Sequence, residues 1–253
     1  MTKQLRQGKG WLLIIMAVLL TGCGGRSSRE SVDPAVAQTR LQLGLEYLAR
    51  NNLDAARQNL EKALDVAPRD YRTQLGMALY EQRIGENQSA EQRYQRALTL
   101  APENGSVMNN YGAFLCSLGQ YVAAQRQFSA AAQLPDYSQV ADALENAGYC
   151  FFKAGQNDDA RSLLSRALKY DPAKGVMLLA EADNQFSDGK YEQAKLLLEI
   201  YQHILPASAE SLWLQIRFAA LAGHDGDIER YGKSLTRSFP QSKQYQQFLA
   251  NEY

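Results

Sequence analysis

The stretch AQTRLQLGLEYLARNNLDAARQNLEKALDVAPRD, residues 37–70, runs straight into YRTQLGMALYEQRIGENQSAEQRYQRALTLAPEN, residues 71–104. Laid one over the other, they pair Leu43-Gly44 with Met77-Ala78, Ala56 with Ala90, Leu60 with Tyr94, Ala63 with Ala97 and Pro68 with Pro102. The prolines carry this phase through the chain: they fall at 34, 68, 102, 135, 172, 206 and 240, spacings of 34, 34, 33, 37, 34 and 34. A fixed period of this length signals a stacked array of one supersecondary unit.

The pattern continues. The third period has Tyr111-Gly112, Leu115, Ala124, Phe128 and Ala131, and the fourth Gly148, Phe151, Ala160, Leu164 and Ala167. The fifth keeps Ala182, Ala194 and Leu198; the sixth is degenerate, with Ile228 and Gly232 in the places of the alanine and the aromatic residue. Small residues at fixed places let two antiparallel helices approach closely, and large ones fill the space between them. Proline lacks an N–H and ends the second helix. Gly85, Gly119, Gly155, Gly189 and Gly223 recur near the end of each first helix, ready for a left-handed C-cap.

Together these residues resemble the tetratricopeptide repeat. The resemblance implies an all-α superhelix of six helix–turn–helix repeats, at about 37–70, 71–104, 105–138, 141–174, 175–208 and 209–242. Two extra residues near Asp136-Tyr137-Ser138 lengthen one inter-repeat turn. Residues 241–253 read as a capping helix, with Tyr245, Phe248 and Leu249 on one face.

The N-terminus follows a different logic. Lys3, Arg6 and Lys9 precede the apolar run Trp11 to Leu20, too short to span a bilayer but fitting a secretory signal over residues 1–22. Leu20-Thr21-Gly22-Cys23 resembles the lipobox of bacterial lipoproteins. That resemblance implies cleavage before Cys23, S-diacylglyceryl and N-acyl lipid on Cys23, and no other cofactor. Gly24, in place of the inner-membrane-retaining Asp of that family, implies the periplasmic face of the outer membrane. Several acyl chains make a firm anchor. Residues 23–34 read as a lipidated start and flexible tether.

Charge and motifs exclude several functions. With 27 basic and 27 acidic residues the chain has no basic surplus for nucleic acid. No metalloprotease, nucleophile-elbow or phosphate-loop motif occurs, so no catalytic or metal site is expected. His203 and His224 fall in different repeats, and Asp158-Asp159 read as a helix cap. Cys116 and Cys150 are 34 residues apart on neighbouring first helices. They form either a disulfide, favoured in an oxidising periplasm, or two buried thiols.

In tetratricopeptide arrays the first helix of each repeat lines the concave side. Here that side is expected to carry Leu41, Leu45, Leu48, Arg72, Leu75, Leu79 and Arg83, then Asn109 and Tyr149. A leucine-rich groove with a few arginines suits an apolar strand or an amphipathic helix of a partner protein.

Lipobox, tether, six repeats and cap, with Asn109-Asn110-Tyr111-Gly112-Ala113-Phe114-Leu115-Cys116 and Asn146-Ala147-Gly148-Tyr149-Cys150, resemble the type IV pilus biogenesis and stability lipoproteins. The resemblance implies a monomeric, non-enzymatic pilotin that binds the secretin subunit of the pilus system and promotes its multimerisation at the outer membrane. An adaptor for peptidoglycan hydrolases or synthases, or an outer-membrane barrel assembly lipoprotein, are the alternative readings.

Overall fold

The computed structural model describes residues 34–135 and 137–253. The signal peptide, Cys23 and most of the expected tether lie outside the described residues. The described residues form six helical hairpins and a short final helix. The hairpins are α1 (Pro34–Ala49) with α2 (Leu53–Val66), α3 (Tyr71–Arg83) with α4 (Asn87–Leu100), and α5 (Gly105–Ser117) with α6 (Tyr121–Gln133). They continue as α7 (Val140–Lys153) with α8 (Asn157–Tyr170), α9 (Gly175–Ser187) with α10 (Tyr191–Ile204), and α11 (Ala209–Leu221) with α12 (Asp225–Ser238). The last helix is α13 (Lys243–Leu249). No strand occurs among the described residues.

The close approaches within hairpins occur where small residues permit them. A Cβ on Gly44 would stand 2.6 Å from Leu60 Cγ, and one on Gly148 2.6 Å from Leu164 Cγ. On the facing helices Ala56, Ala63, Ala90 and Ala97 are fully buried. Tyr94, also fully buried, packs against Tyr111 at 5.5 Å and Phe114 at 5.1 Å between ring centroids. These rings tie repeat two to repeat three, so the core continues along the array instead of closing in any one repeat. Five hairpin turns use a glycine at positive φ, Gly85 at 83° among them. The first uses Asn51 at 57°, a residue that tolerates the left-handed region.

Three details depart from the sequence reading. Helix α1 already begins at Pro34, the last residue assigned to the tether; proline's fixed φ suits a first helical position. Asp158 and Asp159 are not the cap of α8: Gln156 holds that place, and the carboxylates sit in the first turn, where they favour the helix dipole. In the capping helix Tyr245 and Phe248 pack on the last repeat, but Leu249 is exposed because α13 has only two turns to wrap. Where the extra residues lengthen the turn between repeats three and four, the Tyr137 ring covers Gly105, and any side chain there would collide with it.

Candidate functional site

Helices α1 and α3 stand side by side and leave a depression of about 420 Å³ between their C-terminal halves. Leu45, Leu48 and Ala49 of α1 form one wall; Leu79, Gln82 and Arg83 of α3 form the other. Gln82 is held in place by the Tyr94 hydroxyl, which donates to its Oε1 at 2.7 Å. Burial pushes the Tyr94 hydroxyl far above its ordinary pKa, so it stays a donor. Arg83 is exposed and gives the rim its cation.

The structure thus gathers four of the expected groove residues, Leu45, Leu48, Leu79 and Arg83, in one place. The others part company. Leu41 is core rather than groove: its Cδ1 occupies the space over Gly76 of α3, a gap left by the missing side chain there. Leu48 is a wall of the depression yet only 7% exposed, so most of it is core too. Leu75 is half-buried against the Tyr94 cluster. Arg72 is exposed, but its guanidinium is committed to Asp70, the cap of α3, through Nε at 3.0 Å and Nη2 at 2.6 Å. The same contact holds the Asp70 carboxyl below its usual range.

Asn109 on α5 and Tyr149 on α7 do not line this depression, and each is half-buried. Asn109 Oδ1 accepts from Asn146 Nδ2 at 3.1 Å, and Ser106 donates to Gln139 at 3.1 Å. Below them Cys116 and Cys150 are joined by a disulfide, with Cα atoms 5.8 Å apart. Helices α5 and α7 are therefore tied at several levels just where the lengthened turn would loosen the stacking. Burial, with Glu145 and Glu181 nearby, pushes the Tyr149 hydroxyl upward. Lys174 reaches up from the turn before α9 and holds Asp142 at 2.5 Å and Glu145 at 2.7 Å.

The sequence reading missed a larger concavity at the other end. A pocket of about 550 Å³ lies between α9, α11 and α13. Leu179, Trp213 and Leu214 floor it as nearly buried core residues, and Val176 and Ala180 form an exposed apolar lip. Asp183 is ion-paired with Arg217, whose guanidinium also lies 4.1 Å over the Phe186 ring. The spacing of Val176, Leu179, Ala180 and Asp183 puts them on one face of α9, but nothing in that spacing tells that α11 and α13 leave a hollow beside it.

Among the described residues, no three His, Cys, Asp or Glu side chains group as metal ligands, and no helix is long and apolar enough to cross a membrane. Stacked helical hairpins with apolar hollows on the first-helix side define a binding scaffold of the tetratricopeptide class. The tetratricopeptide repeat family matches residues 41–105 and 115–175, and further tetratricopeptide matches cover 94–126 and 151–213. The chain belongs to this family, and it is a scaffold, not an enzyme.

Among individual relatives, it is 29% identical over 246 residues to the type IV pilus assembly protein PilF of Pseudomonas aeruginosa, covering 95% of this chain and 98% of that one. A Haemophilus influenzae protein is 32% identical over 158 residues, 62% of this chain and 88% of that one. The solved structure of Pseudomonas aeruginosa PilF superposes with a TM-score of 0.60 at 28% identity, over 86% of this chain and 98% of that chain. The crystal structure of PilW, a type IV pilus biogenesis factor, superposes with a TM-score of 0.59 at 27% identity, over 85% and 98%.

Proposed function

We propose that this chain is a type IV pilus biogenesis scaffold, and specifically a pilotin: an outer-membrane lipoprotein that binds the secretin subunit and promotes its multimerisation. The observation that carries the reading is the depression between α1 and α3. Leu45, Leu48 and Leu79 offer a continuous apolar strip beside the Arg83 cation. Such a strip accepts the apolar face of a helix or strand from a partner. Similarity to PilF along nearly the whole of both chains supports a pilus partner. The lipobox ending in Cys23 supports the anchor, and Gly24 supports the outer membrane as its address.

The test combines two variants, scored for secretin multimers in outer-membrane fractions. Cys23→Ala removes the sulfur that would carry the lipid; labelled palmitate should no longer enter the protein, and multimers should fall or move to the inner membrane. Palmitate entering that variant would refute the anchor. Leu45→Asp with Leu79→Asp places carboxylates in the half-buried strip, where docking an apolar partner would desolvate them at a cost of several kcal/mol. Multimer yield should drop at least tenfold with helicity retained. Normal multimers from a folded double variant would refute the depression as the docking site. Loss of a peptidoglycan hydrolase from pull-downs, with secretin multimers intact, would favour the adaptor reading instead.

A further inference from the structure

The charges of the concave side are polarised along the array. In the first three repeats, α1 and α3 carry Arg40, Glu46, Arg72, Glu81 and Arg83, and α5 has no charge at all. In the last three, α7, α9 and α11 carry Asp142, Glu145, Glu181, Asp183 and Glu210 against only Lys153 and Arg217. Internal pairing does not cancel this excess. Lys174 serves both Asp142 and Glu145, and Arg217 is committed to Asp183. Among the described residues, Glu181 accepts from the Gln185 amide and Glu210 from the Gln244 amide, and neither is in an ion pair. Of these acids Asp183 and Glu210 line the C-terminal pocket; Glu252 joins them, against Arg217 and the exposed Lys243, which leaves the pocket one negative charge in excess.

From this we infer that the pocket between α9, α11 and α13 is a second docking site, for a protein segment carrying a large apolar side chain next to a lysine or arginine. The pocket volume of about 550 Å³ lies within the range of built ligand sites. Val176 and Ala180, exposed on α9, would receive the apolar side chain, with the largely buried Trp213 beneath them. Tryptophan is the residue type most enriched where binding energy concentrates, and Tyr253 meets the Trp213 ring edge-on at 6.3 Å, which fixes its plane. Glu210 at the mouth supplies the complementary charge, which orients the segment and rejects acidic ones. The site lies at the opposite end of the array from the α1–α3 depression and does not depend on what occupies that one.

The chain carries its own reporter. Its two tryptophans are Trp11 and Trp213, so the full-length Trp11→Phe protein in detergent has one tryptophan, excited selectively over the tyrosines at the red edge of its absorption, and it lines the pocket. The probes are two blocked peptides, acetyl-Gly-Lys-Phe-Lys-Gly-amide and acetyl-Gly-Glu-Phe-Glu-Gly-amide. The lysine peptide should change Trp213 emission saturably, with the glutamate peptide at least tenfold weaker. Exposed Glu210→Lys should reverse that order, and exposed Val176→Lys should weaken the lysine peptide about tenfold. Leu45→Asp with Leu79→Asp should leave both titrations unchanged, which keeps this site distinct from the secretin reading. Circular dichroism accompanies each variant. A folded protein with no saturable response to the lysine peptide at millimolar concentration overturns the inference. So do equal responses to the two peptides, or a lysine-peptide affinity that Glu210→Lys leaves intact.

Discussion

Replacing both Cys116 and Cys150 by alanine removes the one covalent tie between repeats among the described residues. The bridge closes a loop with a sequence separation of 34 residues. In the chain-entropy account, a loop of that length restricts the unfolded chain by roughly 3–4 kcal/mol at 25 °C. For a folded array of this size each kcal/mol shifts the melting temperature by roughly 2–4 °C, so the double variant should melt roughly 6–16 °C lower. Both sulfurs are buried, and alanine also removes their packing. The thiol-reduced parent separates the two effects, since it lacks the cross-link but keeps the sulfur atoms. Most of the loss should appear in the reduced parent, with a smaller increment in the alanine variant. Because each repeat contacts mainly its neighbours, hydrogen exchange should accelerate in α5 to α8 before α1 or α12 responds. Thermal unfolding by circular dichroism and amide exchange by mass spectrometry give the two readouts. A reduced parent with two alkylatable thiols and an unchanged midpoint would refute the reasoning, since the hydrogen bonds Asn146–Asn109 and Ser106–Gln139 would then suffice to hold α5 and α7.

The same glycine-to-alanine change should have opposite signs at two places. At Gly44 the new Cβ meets Leu60, which has no retreat because its Cδ2 also faces Gly76, so overpacking of about 1–3 kcal/mol exceeds the helix-propensity gain of up to about 1 kcal/mol. At Gly226 nothing lies within 4 Å and the variant should melt at or above the parent; equal destabilisation at both sites would sink the close-approach argument. Glu81, almost fully buried beside Arg93, has its carboxyl pushed above the ordinary 4.5 chiefly by burial. The folded state therefore holds its proton more tightly than the unfolded one, and this group's contribution to stability falls as pH rises from about 4.5 toward neutrality. Glu81→Gln should flatten that part of the pH–stability curve and leave the protein no less stable at pH 7; a steeper fall in the variant would show that the Arg93 pairing outweighs the desolvation.

Much of the architecture was legible in residue types because it rests on local rules. Pro68, Pro102, Pro172, Pro206 and Pro240 mark chain positions where a helix cannot continue, and Gly85 and its counterparts mark turns that need positive φ. Gly44 and Gly148 announce contact with Leu60 and Leu164 because a helix pair joined by a short turn must pack on itself. The sequence places Cys116 and Cys150 on adjacent first helices, at places twelve and ten of their repeats, so bonding distance depended on how α5 and α7 actually stack. The groove was legible only in outline. Sequence places Leu41 and Leu45 on the same helix, but which one faces the hollow is decided by Gly76 on another helix, where the missing Cβ admits Leu41 and buries it. The C-terminal pocket was invisible for the same reason: its walls come from α9, α11 and α13, and only their relative placement leaves Trp213 and Val176 around a common space. Spacing along the chain determines which helices form and where they turn, because those forces act within a few residues. Which side chains become core and which line a hollow is decided by tertiary packing, because that depends on the volume contributed by residues far away in sequence.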